Sequence, residues 1–295
     1  RGEPQPGGEI PPAAGEHIAD AETIVRLAAL PPLDYDRVRT SEAKLLGVRA
    51  QTLDEQVNRV RGYDAHDVCG LVFAEVEPWL EPVNGERLLD NLAASCRRFI
   101  VLPPYADTAL ALWIVFTHLI DAAEVAPILA AVSPEKRCGK TPLVDLPSRL
   151  VRRPMPASNI SPAALFRSVE AWRPTLLIDE ADTFVRENEE LRGIVNSGHT
   201  RATAFVIRTV GDDHEPKAFS TWGAKAIALI GRLPDTLDDR SIVIELRRKL
   251  PSERVEKLRH AEHGKFEMLR RQCARFAADN VASTRGARPA IPDEL

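Results

Sequence analysis

The chain has 295 residues, 44% of them hydrophobic and 28% charged, enough apolar side chain for one large core and a smaller second one; this excludes a wholly disordered or fibrous protein. A net charge of -4 excludes blanket attraction to nucleic acid, so any such contact must come from a local basic face. Cys69, Cys96, Cys138 and Cys273 form no C-x-x-C pair, which argues against a structural zinc or a disulfide framework and fits a reducing cytoplasm.

Residues 1–16 are dense in Pro, Gly and Glu, bury too little to offset ordering entropy, and read as a linker. With Arg1 in place of Met and no apolar signal segment, the sequence reads as a piece of a longer polypeptide. Residues 17–61 are predicted to form a small helical segment. Within it "SEAKLLGVRAQTLDEQVNRVR" gives two helices around a tight turn at Gly47, with Ala43, Leu53 and Val57 as core contacts and Thr52 and Glu55 as a capping box. That spacing matches a helix-turn-helix DNA reader, although a plain helical hairpin packing on its neighbour accounts for it more simply. Residues 62–125 follow as a helical scaffold, broken at Pro103 and Pro104, whose missing donors and extended geometry end a helix. "ALALWIVFTHLI" is shorter than a membrane span and is followed by Asp121 and Glu124, so it predicts a buried helix and no membrane partner.

Residues 126–250 carry the chemistry. "APILAAVS" has strand length and runs into "SPEKRCGKT", after which a helical pattern begins. A phosphate-binding loop reads G-x-x-x-x-G-K-[ST] between strand and helix, so that backbone N–H groups cradle phosphates, the lysine neutralises them and the hydroxyl holds Mg2+. Here Pro134 replaces the first glycine, while Gly139, Lys140 and Thr141 are intact; Ser133, Lys136 and Cys138 complete the candidate loop. The bland alternative is a polar turn. Downstream, "RPTLLIDEAD" is an apolar strand ending in two carboxylates, with Asp179 suited to Mg2+ and Glu180 to activating a water; alone, it reads equally as an acidic strand end in solvent. "TAFVIRTVG" and "KAFSTW", joined by "DDHEP", predict a β-hairpin, and "KAIALI" a further strand ending at Gly231-Arg232. Residues 251–295 predict one or two helices with Val255, Leu258, Phe266, Leu269 and Phe276 as an apolar set suited to a lid. "HAEH" at 260–263 lacks a third ligand at metal spacing.

Taken together, "SPEKRCGKT", "NISPAALFRSVE", "RPTLLIDEADTF", "ELRGIVNSGH" and "FSTWGAKAIALIGRLPDTLDDRSI" resemble a P-loop ATPase domain of prophages, integrative elements and plasmids, often fused behind a primase or Toprim module. The resemblance spans residues 62–250. It implies an α/β, AAA+-like P-loop NTPase fold: a three-layer sandwich with a parallel central sheet, an inserted hairpin and helical additions at both ends. The implied function is an ATP- and Mg2+-dependent, helicase-like DNA motor in mobile-element replication, working as a ring of identical chains with a primase-type module upstream or in trans. In AAA+ ATPases a polar residue at the strand end after the hairpin senses the γ-phosphate, which Arg232 matches in place but not in type. An arginine after the next turn reaches the neighbouring subunit, a position that Arg240 fits. Helicases of the superfamily 3 and MCM type touch single-stranded DNA with the hairpin tip, here His214 and Lys217 with Arg208 nearby, although Asp212, Asp213 and Glu215 make that tip acidic. Pro142 removes the N–H following Thr141, which leaves a second reading open: a nucleotide-binding DNA accessory without turnover.

Overall fold

The computed structural model describes residues 14–61, 73, 75–157, 160–182, 188–210 and 215–290. They divide into two compact units, residues 1–72 and 73–295. Among the cysteines, Cys96, Cys138 and Cys273 are free and buried, and Cys69 lies outside the described residues.

The first unit holds α1 (Ala14–Ala28), α2 (Pro32–Leu45) and α3 (Ala50–Val60). Helix α1 starts within the stretch read as linker, whose first 13 residues lie outside the described set. Leu27, Tyr35, Ala43, Leu53 and Val57 form the core of this unit. The turn falls at Gly47, whose φ of 65° lies in the left-handed region that only glycine enters freely. Thr52 is not the N-cap. Helix α3 begins three residues earlier, at Ala50 behind Arg49, because Ala50 and Gln51 are themselves good helix formers; the side chain of Glu55 lies outside the described residues. Arg61 closes the unit, donating from Nε to Ala28 O (2.9 Å) and from Nη2 to Leu30 O (2.7 Å) with its guanidinium 5.0 Å from the Tyr35 ring.

In the second unit, α4 (Gly85–Phe99) is capped by Asn84, whose Oδ1 accepts from Arg87 N at 2.9 Å. After Pro103 and Pro104 comes α5 (Ala106–His118), buried along nearly its whole length as its apolar run predicts. Among the described residues no helix is long and apolar enough to cross a membrane. The chain then alternates β1 (Ile128–Ser133), α6 (Lys140–Ser148), β2 (Pro154–Pro156), α7 (Pro162–Trp172) and β3 (Thr175–Ile178). After α8 (Glu189–Ser197) the antiparallel pair β4 (Phe205–Val210) and β5 (Glu215–Ser220) forms the predicted hairpin. Next come β6 (Lys225–Ile230), the short α9 (Asp235–Asp238), β7 (Ser241–Glu245) and the long α10 (His263–Gly286).

Strands β2-β3-β6-β1-β7 form one five-stranded sheet in which each neighbouring pair is parallel. Every residue of β1 is buried, as a strand covered on both faces requires. Its side chains alternate between two cores. Leu129 and Ala131 pack with α4, α5, α6 and α10, while Ile128, Ala130 and Val132 pack with α7 and α8. The result is an α/β sandwich with helices on both faces. Described residues of the expected scaffold (62–125), ATPase core (126–250) and C-terminal helical segment (251–295) contribute to one core: Leu110, Leu129 and Leu269 belong to the same cluster. Phe266, Leu269 and Cys273 of the predicted apolar C-terminal helix bury α10 against α4 and α5.

Candidate functional site

In a parallel sheet every strand points the same way, so the carboxyl ends share one edge and crevices open there. β1 ends at Ser133 level with Ile230 of β6, and Ile178 of β3 is level with Ile227, so Asp179 and Glu180 emerge beside the last residues of β6. The loop after β1 therefore meets the two carboxylates across one intervening strand. They line one cleft of about 970 Å³ together with Lys136, Cys138, Gly139, Lys140 and Thr141.

Local chemistry shapes the loop. Gly139 has a φ of 90° and caps α6; Arg137, at 67°, is a second left-handed position and carries strain that glycine would not. Lys140 Nζ donates to Ser133 Oγ at 2.7 Å, and Ser133 Oγ donates to Glu135 O at 2.7 Å, which fixes the ammonium over the loop. Arg248 pairs with Glu135 at 3.0 Å and tethers the loop to the exit of β7. Pro142 is the third residue of α6, where a missing N–H costs the helix nothing.

Three helices begin at this cleft. Lys140 and Thr141 open α6; Ser161 caps α7 through a bond from Ala164 N (3.3 Å); Asn188 caps α8 through a bond from Leu191 N (3.0 Å). Their unpaired N–H groups and aligned dipoles make the cleft receptive to anions, while Asp179, Glu180 and Asp182 supply carboxylate on the opposite wall. Glu180 is exposed with φ of 56°, and its N–H donates to Asp179 Oδ1 at 2.9 Å. A non-glycine residue held in that region is a strained backbone of the kind found at working sites.

Sequence reasoning missed Asp182, Ser161 and Asn188. Asp182 Oδ1 accepts from Ile230 N at 2.6 Å and ties the end of β6 to the carboxylate turn. The signals were present: Ser-Pro and Asn-Glu-Glu ahead of apolar periodicity are helix starts, and Asp182 sits three residues after Asp179 in the same acidic turn.

Other expected residues lie elsewhere. Gly231, with φ of 89°, turns the chain, and Arg232 lines a neighbouring cleft with Pro134, Asp235 and Asp238. Ile230 is the residue of that strand end that meets the first cleft. Arg240 sits at the opposite, amino edge of the sheet, its carbonyl accepting from Ile128 N (2.9 Å) and its Nη1 donating to Asn196 O (3.0 Å) and Oδ1 (3.2 Å). Lys217 pairs in register with Arg208 on the face of the hairpin that carries Val206 and Phe219, and its ammonium lies 5.3 Å from the Phe219 ring. Arg208 is engaged by Glu190 at 2.8 Å. His214, with Asp212 and Asp213, lies outside the described residues.

No family model matches the chain, and no curated protein does either. Among solved structures it is similar to one described as the A-form apo structure of the NrS-1 C-terminal region, at 17% identity and a TM-score of 0.37, covering 69% of this chain and 46% of that one. The chain thus spans about half the length of that neighbour.

Proposed function

We propose that the cleft at the carboxyl edge binds ATP with Mg2+ and hydrolyses it, and that the chain is an AAA+-like P-loop motor acting on DNA in mobile-element replication. One observation carries this reading: Gly139-Lys140-Thr141 at the start of α6 and Asp179-Glu180 at the end of β3 line the same cleft. The residues fit the ligands. Lys140 and the open N–H groups of α6 suit the phosphates, and the Thr141 hydroxyl with the Asp179 carboxylate suits Mg2+, which when bound neutralises phosphate charge. Glu180 takes a proton from the water that attacks the γ-phosphorus as the bond to the leaving ADP oxygen breaks. The strand order, with β6 between β1 and β3, agrees with the AAA+ resemblance of the sequence.

In this reading Arg240 completes the site of a neighbouring chain in a ring, the hairpin meets single-stranded DNA, and a primase-type module acts upstream or in trans within the cytoplasm. Pro142 favours one alternative, in which the loop holds nucleotide without turnover, since it withholds a donor from the phosphates. The deciding measurement is the ATPase rate with and without single-stranded DNA. Lys140→Ala is expected to abolish nucleotide binding, and Glu180→Gln to keep binding and lose turnover. Turnover by Glu180→Gln equal to that of the parent rules out the hydrolytic role of Glu180, and nucleotide binding without any turnover by the parent selects the alternative.

A further inference from the structure

A second cleft, of about 380 Å³, opens at the amino edge of the same sheet. Four arginines line it: Arg152 and Arg153 just before β2, Arg173 just before β3, and Arg201 ahead of the hairpin. The strands separate it from the carboxyl edge by roughly 15 Å, at about 3.3 Å per residue, so one phosphate cannot serve both. Its volume is that of a small-ligand site.

The charge there is not balanced. Arg152 pairs with Asp121 at 2.6 Å and Arg153 pairs with Glu75, while Glu170 accepts from the Ser220 N–H at the cleft wall (2.6 Å). Among the described residues the Arg201 side chain donates only to carbonyls, of Asp121 (2.8 Å) and Ala123 (3.3 Å), and its guanidinium lies 5.7 Å from the Trp222 ring. Arg173 is exposed, and neither it nor Arg201 forms an ion pair among the described residues. Burial pushes the Asp121 carboxyl up, but its bond to Arg152 and the charges of Arg152, Arg201 and Arg173 outweigh that and hold it below the usual range. One carboxylate is thus shared by three guanidiniums. Lys225, buried at the first residue of β6, donates at 2.9 Å to the carbonyl of Gly223, a residue of the cleft wall.

The backbone is also arranged for this. Arg153 and Arg173 both have left-handed φ, of 47° and 46°, an uncommon state for a long side chain. Arg153 holds its place by donating to Trp172 O (3.0 Å), whereas no such bond holds the Arg173 side chain among the described residues. Two lining residues carry buried donors that find no acceptor among the described residues, Arg153 Nε and Trp222 Nε1. Forked guanidiniums with free donors match phosphate oxygens, and an aromatic ring beside them suits a nucleic-acid base.

We propose that this arginine cleft is a phosphate-binding site, taking the phosphate either from a single-stranded polynucleotide or from a free oligophosphate, with Arg173 and Arg201 as its principal ligands. The hairpin roots at Ala204 and Ser220 line the same cleft, so a strand bound here runs at the base of the hairpin. This site does not depend on the nucleotide reading of the carboxyl edge, and its test is kept separate from it.

The test uses the full chain carrying Lys140→Ala, without Mg2+ or nucleotide, so that the carboxyl-edge loop contributes little. Binding of a fluorescein-labelled oligothymidylate is followed by anisotropy, and binding of sodium tripolyphosphate by calorimetry. Arg173→Gly suits the left-handed helix cap and keeps the fold, and it is expected to weaken whichever probe binds by about tenfold. For the oligonucleotide the slope of log affinity against log salt should shrink by about 0.7, one phosphate contact. Arg173→Lys should retain most of the affinity. Loss confined to the oligonucleotide identifies a polymer backbone, and loss confined to tripolyphosphate a free oligophosphate. If neither probe binds, or if Arg173→Gly binds both as tightly as its parent, the proposal fails. The ATPase of the chain with Lys140 intact reports on the other edge independently.

Discussion

At the scale of single residues, backbone conformation and close approach decide what is tolerated. Glu180 stands at φ 56°, where any side chain costs about 1 kcal/mol relative to glycine. Glu180→Gly should therefore melt higher than Glu180→Ala by about 1 kcal/mol of unfolding free energy in denaturant titrations, with neither variant hydrolysing ATP. Equal stability of the two would mean that the turn relaxes. Gly198 is constrained by neighbours and not by φ, since a Cβ there would overlap both Thr221 O and the Lys225 ammonium. That ammonium donates to Gly198 O (3.2 Å), Thr221 O (3.0 Å) and Gly223 O (2.9 Å), with no carboxylate partner among the described residues, and desolvation pulls it down to about 7. Gly198→Ala should cost roughly 3 kcal/mol, read as a shift of the urea midpoint, because backbone and a buried cation must both move.

At the scale of elements, α5 and the hairpin make contrasting cases. His118 ends α5 with Nε2 donating to Leu150 O at 2.8 Å. Desolvation takes its imidazole down to about 4, aided by the charges of Arg270 and Arg152 and opposed by the Leu150 bond. An unfolded imidazole titrates near pH 6.5, so between there and pH 4 the unfolded chain binds the extra proton. Stability contributed by neutral His118 is whole above that window and declines as pH falls through it, by roughly 3 kcal/mol in total. His118→Gln should flatten that part of the pH–stability curve, and an unchanged slope would place the effect elsewhere. The hairpin docks through one face only: Phe219 lies 4.7 Å from the Phe166 ring, whereas Phe205 and Ile207 on the other face are exposed. Phe219→Ala should cost about 3 kcal/mol and Ile207→Ser less than about 0.5 kcal/mol in the same unfolding assay.

At the scale of the whole molecule, the proposed ring has its own test. Arg240→Ala should leave nucleotide affinity alone and stop hydrolysis, and mixing it with Glu180→Gln should restore part of the rate, as some interfaces then pair an intact base with an intact arginine. Mixtures no faster than either parent would argue for a site complete within one chain. Much of the architecture was legible in the sequence. The continuous apolar runs of β1, β3 and β6, the tandem-proline break and the hairpin follow from local periodicity and from missing donors, which act over a few residues. So did the candidate loop and the Asp179-Glu180 turn, because strand-to-helix chemistry is written contiguously. Thr52 misled because a capping pattern competes with the helix propensity of the residues before it. The surface that α10 covers was not legible, because an amphipathic face does not name its partner. The sequence alone determined where β1, β3, β6, the hairpin strands and the buried α5 fall and which side chains could carry phosphate chemistry, whereas the short β2 and helices α7 and α8 emerged only in the structure. Only the tertiary structure decided that three helix starts converge on one cleft, that Arg232 and Arg240 lie outside it, and that four arginines gather at the far edge. Such meetings depend on strand order and register, which join residues dozens of positions apart and leave no local trace.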